Sequence, residues 1–97
     1  MRYEAKVLVP VVEARWWKLS QADFEKWVLS LYGGFTLGPQ CFGMTEQWGA
    51  EQVIPYYIGF AGQPQLEADA IRARVKDCFA QETVYIRVMH SEVELLG

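Results

Sequence analysis

Chemistry in this 97-residue chain has to come from a few groups of residues. Arg15 and Lys18 bracket Trp16 and Trp17 just ahead of Ser20, where helix signals begin. The unpaired amides and the dipole at a helix N-terminus favour negative charge. Arg15 and Lys18 are therefore the candidate anion-binding residues, with Trp16 and Trp17 between them packing or lying at an interface. The plainer reading is that Ser20 and Asp23 satisfy those amides, and Asp23 would also repel an anion. The stretch "GGFTLGPQCFG", residues 33–43, has the glycines of a phosphate loop but the wrong direction. It leaves a helix instead of opening one, and it lacks the GK that a P-loop needs. His90 is the one histidine. With Glu92 and Glu94 it is a candidate general base or metal ligand, but no second ligand stands at metal spacing, and a solvated strand end accounts for it. Cys41 and Cys78 form no CxxC and pair with no histidine, so they read as two reduced thiols. No metal site and no cofactor is expected, and a catalytic role is not the leading expectation.

Composition narrows the function classes. Apolar residues make up 52% and charged residues 22% of the chain, which is the balance of a globular domain. The length suits a single domain, 1–97, with a hydrophobic core of its own. A net charge of -3 and a pI near 5.0 argue against a nucleic-acid partner, whose phosphates demand concentrated Lys and Arg. No apolar run reaches membrane-spanning length, and no basic-then-apolar leader is evident, so no membrane partner and a cytoplasmic location are expected.

The elements that must position these residues follow from hydropathy patterning. In residues 3–12, Tyr3, Ala5, Val7, Val9 and Val11 share one face, the alternation of a strand; Pro10 belongs near its end. A helix over 20–32 is predicted, with Ser20 as N-cap, a Leu19–Phe24 staple, and Phe24, Trp27, Val28 and Leu31 on one stripe. Gly33 or Gly34 ends it. Gly38-Pro39 breaks the next strand, and "WGAEQ" reads as a hairpin connection with Gly49 at its bend. "VIPYYIGF", 53–60, is a third strand. Pro64 opens a second helix with Ile71, Val75, Cys78 and Phe79 on one face. A last strand alternates Val84, Ile86 and Val88 against Tyr85, Arg87 and Met89, with a bend expected near His90-Ser91.

The order β-α-β-β-α-β predicts an α+β ferredoxin-like sandwich, a four-stranded antiparallel sheet with both helices on one face. Right-handed crossovers are expected to place the first and last strands at the centre. Two helices cover one sheet face only, and the third strand is apolar on both. Leu8, Ile54, Tyr56, Ile58, Phe60, Tyr85 and Met89 are therefore the candidate interface residues of the uncovered face.

"LYGGFTLGPQCFG" after a helix and "CFAQETVYIRV" at the end of the second resemble a group of small uncharacterised bacterial ferredoxin-like proteins. The residues that carry the likeness are Gly33, Gly34, Thr36, Gly43, Gln81, Glu82 and Val84; it implies the fold and no activity. Acylphosphatases share the element order, but their pattern pairs a connector Arg in a glycine-rich setting with an Asn on the second strand. This chain contains no Asn, so that likeness is one of architecture. RNA-recognition domains also use this order, stacking bases on strand aromatics; "PYYIGF" supplies aromatics without the basic residues. The preferred reading is a self-associating accessory or protein-interaction domain, a homodimer. The alternative is a domain or enzyme that binds a small aromatic or anionic molecule in a pocket lined by Trp16, Trp17, Tyr56 and Tyr57.

Overall fold

A computed structural model of the chain describes residues 2–45 and 49–91. Its elements run β1 (Arg2–Pro10), α1 (Arg15–Tyr32), β2 (Thr36–Leu37), β3 (Cys41–Thr45), β4 (Gly49–Ala61), α2 (Pro64–Phe79) and β5 (Tyr85–His90). All pairings are antiparallel, and the order across the sheet is β2-β4-β1-β5, with β3 also on β4. This is the ferredoxin-like sandwich, its second strand divided into β2 and β3.

The central pair is β1 and β4, which corrects the expectation that the last strand lies inside. Burial explains the order. Ala5, Val7 and Val9 of β1 are wholly buried, as are Tyr56 and Ile58 of β4. In β5, Tyr85, Arg87 and Met89 remain exposed. The most apolar strands take the places with neighbours on both sides, and β5, which alternates, takes an edge.

Register decides which face of β4 the helices cover. Ala5 pairs with Ile58, Val7 with Tyr56 and Val9 with Ile54, so these side chains share the helix-covered face. Ile54, Tyr56, Ile58 and Phe60 are accordingly core residues and not part of the uncovered face, a correction to four of the expected interface positions. They pack against Trp17, Phe24 and Val28 of α1 and Ile71, Val75 and Phe79 of α2. Phe24 sits edge-on to Tyr56 at 5.2 Å and to Phe79 at 5.6 Å between ring centroids, an arrangement favoured by ring quadrupoles.

Helix α1 begins five residues before the expected Ser20. Ala14 is its N-cap, extended at φ -150°, and no side chain caps it. The cause is Trp17, 4% exposed in the core, whose indole Nε1–H donates to the Pro10 carbonyl at 2.8 Å. That bond ties the first helical turn to the end of β1 and moves the buried stripe back one turn. Ser20 then lies within the helix, and Leu19 and Leu31 are 58% and 60% exposed, so the expected staple is not formed. Gly33 ends the helix as anticipated, at φ 80° with its N–H on the Leu29 carbonyl. In α2, Pro64 is at the start, and Ala80 takes the left-handed position after its end at φ 52°.

Gly38-Pro39 is a bulge. Leu37 pairs with Tyr56 and Cys41 with Val53, so residues 38–40 stand opposite Ile54 and Pro55 alone. One strand carries an extra residue, which bends it and increases its twist. The Gly38 N–H donates to the Pro55 carbonyl at 3.0 Å. In an antiparallel ladder a residue's nitrogen and carbonyl face the same neighbour, so the donor that Pro55 lacks falls at the bulge, where the ladder is already interrupted. Residues 46–48, including Trp48 of the expected hairpin connection, lie outside the described residues; Gly49 opens β4 opposite Thr45.

A Cβ on Gly38 would lie 2.7 Å from the Pro55 ring and 3.1 Å from Tyr57. Because Pro55 is buried, Gly38→Ala is expected to cost about 1–3 kcal/mol, the usual range for overpacking. The urea-unfolding midpoint measures it, and an unchanged midpoint would show that the bulge has slack.

Candidate functional site

Two regions gather the residues of interest. The first is the sheet face that carries no helix. Pairing sets its rows: Pro55, Leu8 and Tyr85 in one, Tyr57, Lys6 and Arg87 in the next, then Gly59, Glu4 and Met89. Pro10 and Val53 extend the apolar end. Tyr85 is 55% exposed and Met89 36%. The Lys6 Nζ lies 5.9 Å from the centre of the Tyr57 ring, at cation–π range. Of the expected interface residues, Leu8, Tyr85 and Met89 lie on this face.

Beside it the sheet narrows to a ribbon. The β1–β4 ladder ends at Pro10–Val53, with one further bond from the Val11 N–H to the Gln52 carbonyl at 2.8 Å. Gly49 to Gln52 therefore pair with β3 and with no residue of β1. Phe42, on this ribbon, is 79% exposed.

The second region is a groove of about 600 Å³ where the ribbon leaves the helical layer. Val11, Val12 and Ile54 give it apolar surface, and Glu13, Trp17, Lys18, Gln21, Gln40 and Gln52 complete it. The expected group is thus split. Arg15 to Lys18 form the first turn of α1; Trp17 and Lys18 line the groove, whereas Arg15 and Trp16 are exposed and do not. Tyr56 and Tyr57 point to opposite sheet faces, because neighbours on a strand alternate, so no single pocket holds both.

Glu13, Gln21, Gln40 and Gln52 are additions that sequence reasoning missed. A signal existed for Gln21: a tyrosine within an apolar run must find a partner for its hydroxyl when buried. The Tyr56 O–H donates to Glu25 Oε2 at 2.9 Å and accepts from Gln21 Nε2 at 3.0 Å. Gln40 and Gln52 meet across the ribbon base, Gln52 Nε2–H donating to Gln40 Oε1; that meeting depends on the bulge.

The remaining candidates have structural surroundings. His90 lies against the Tyr3 ring at 4.9 Å between centroids, and Glu92 and Glu94 lie outside the described residues. Cys41 and Cys78 are free thiols, Cys41 exposed and Cys78 half-buried. Burial pushes the Cys78 thiol pKa up, while neighbouring Arg74 opposes the rise. Among the described residues no group of three or more His, Cys, Asp or Glu is placed to hold a metal ion, and no helix is long and apolar enough to cross a membrane.

Burial foremost, and then the Glu25 carboxylate, hold the Tyr56 phenol above its ordinary pKa, against the opposing effect of the Gln21 bond. Burial and Glu67, which accepts from Tyr32 Oη at 2.7 Å, do the same for Tyr32. In the unfolded chain both titrate near an ordinary pKa of about 10. The folded state therefore keeps protons that the unfolded state releases, and this contribution is full below about pH 10 and lost as pH rises beyond it. Urea midpoints measured from neutral pH to pH 11 should fall more gently at the alkaline end in Tyr56→Phe than in the parent chain. An identical alkaline decline would place that loss elsewhere.

No protein-family model and no curated protein sequence matches the chain. Solved structures do match its fold. The divalent cation tolerance protein CutA1 from Thermus thermophilus superposes with a TM-score of 0.69 at 12% identity, over 97% of this chain and 87% of that one. The periplasmic divalent cation tolerance protein CutA from Archaeoglobus fulgidus gives 0.61 at 16%, over 99% and 89%. A DUF3240 family protein from Shewanella baltica gives 0.60 at 15%, over 95% and 92%. At these identities the likeness is one of fold.

Proposed function

We propose that the chain is a single self-associating domain, a cytoplasmic homodimer acting as an accessory or interaction module, whose contact is the uncovered sheet face. The observation that carries this reading is a second apolar surface outside the core. On this face Tyr85 and Met89 are exposed and Leu8, Pro10 and Tyr57 are half-buried, over a floor of buried Val53 and Pro55 on the two central strands. Apolar surface of that kind, rimmed by charge, favours a protein contact.

A second copy suits the surface better than other partners do. Glu4 stands among Lys6 and Arg87 on this face, so the face carries both signs of charge and can complement itself about a two-fold axis. A phosphate backbone would meet Glu4 and a net charge of -3. The ribbon supports the same reading, since a lone two-stranded ribbon is marginal in water and gains stability from a neighbour. The free thiols fit a reducing compartment. The names of the structural neighbours bring no cation-related role to this chain at their low identity, and the short glycine pattern remains a resemblance of its own.

Light scattering coupled to size-exclusion chromatography at micromolar concentration is expected to return twice the 11.1 kDa chain mass. Tyr85→Glu, at an exposed position, should shift the population toward monomer, weakening association about tenfold, which is about 1.4 kcal/mol. A parent chain that stays monomeric throughout would refute the reading.

A further inference from the structure

We propose that the groove between the first turns of α1 and the base of the ribbon binds a zwitterion, specifically a free neutral α-amino acid. Two opposite charges stand at one opening. Glu13 and Lys18 both line the groove and are both exposed, and neither forms an ion pair among the described residues. They do not neutralise each other, so a ligand with an ammonium and a carboxylate can satisfy both.

An α-amino acid would then set its carboxylate toward Lys18 and its ammonium toward Glu13.

The rest of the lining selects a neutral side chain. Val11, Val12 and Ile54 offer apolar surface, and the indole of Trp17 is fixed by its bond to Pro10. Gln21, Gln40 and Gln52 stand around this surface and bring amide groups, which both donate and accept. Such groups suit an amide or hydroxyl, while a third charge would find no counter-ion among the lining residues. The volume, about 600 Å³, is within the range of ligand sites. A phosphorylated ligand fits less well, because its several negative charges would meet one lysine and the Glu13 carboxylate.

Calorimetric titration of the full chain with L-leucine, L-glutamine and N-acetyl-leucine amide tests this. Saturable binding of at least one of the two free amino acids, at one per chain, with loss of binding for the blocked analogue, is the expected result. Lys18→Gln and Glu13→Gln should each weaken binding about tenfold while leaving the circular-dichroism spectrum unchanged. Absence of binding by both amino acids at millimolar concentration overturns the proposal. So does equal binding of the blocked analogue, or an affinity unmoved by both substitutions. The proposal does not depend on the oligomeric state, and light scattering on the same sample keeps the two questions apart.

Discussion

The pairing of β1 with β4 is the constraint on which the rest of the molecule depends. Both strands are apolar, and β4 is apolar on both faces, so hydrophobicity alone does not say which face the helices cover. The register settles it. With Val7 opposite Tyr56 and Leu8 opposite Pro55, one set of side chains enters the aromatic core and the other is left without a helix. A slip of one residue would exchange the two sets. It would bring Tyr57 and Pro55 under the helices and strand Tyr56 away from Glu25 and Gln21, its hydrogen-bond partners. A buried hydroxyl without a partner costs about 1–3 kcal/mol, so the Tyr56 bonds help to hold the register that the core requires.

The bulge at Gly38-Pro39 transmits this pairing to the surface. It absorbs the missing donor of Pro55 and redirects the second strand, so that β3 and the start of β4 leave the sheet as a ribbon. Both surface regions described above follow from that departure. The uncovered face continues toward the ribbon through Pro10 and Val53, and the groove opens where the ribbon separates from α1. The glycines of residues 33–43 therefore act through backbone geometry, Gly33 by ending a helix and Gly38 by allowing close approach to Pro55.

Much of the fold was legible in the sequence because periodicity reports burial directly. The alternation in Tyr3 to Val11, the stripe of Phe24, Trp27 and Val28, and the opening Pro64 each lead to the observed element. The start of α1 was not legible in that way. Ser20 has the chemistry of a cap, but Trp17 finds the Pro10 carbonyl, a contact across the connector that no local pattern encodes. The order of strands was misjudged because crossover handedness leaves open which strands become edges; relative apolarity of β4 and β5 decides it. The groove residues were harder still. Trp17 and Lys18 stand out in the sequence beside a helix start, whereas Gln40 and Gln52 come together only through the ribbon pairing. Tyr56 and Tyr57 looked like one aromatic pair in the sequence and are separated by the thickness of the sheet.

The claim that this uncovered face meets a second copy is tested most directly by hydrogen exchange followed across a dilution series. The account predicts that backbone amides of Gly49–Gln52 and of β5 are slowed at high concentration and speed up together as the chain dissociates, while those of α1 keep their rates. Exchange in the ribbon and β5 that is independent of concentration, while light scattering reports dissociation, would contradict it.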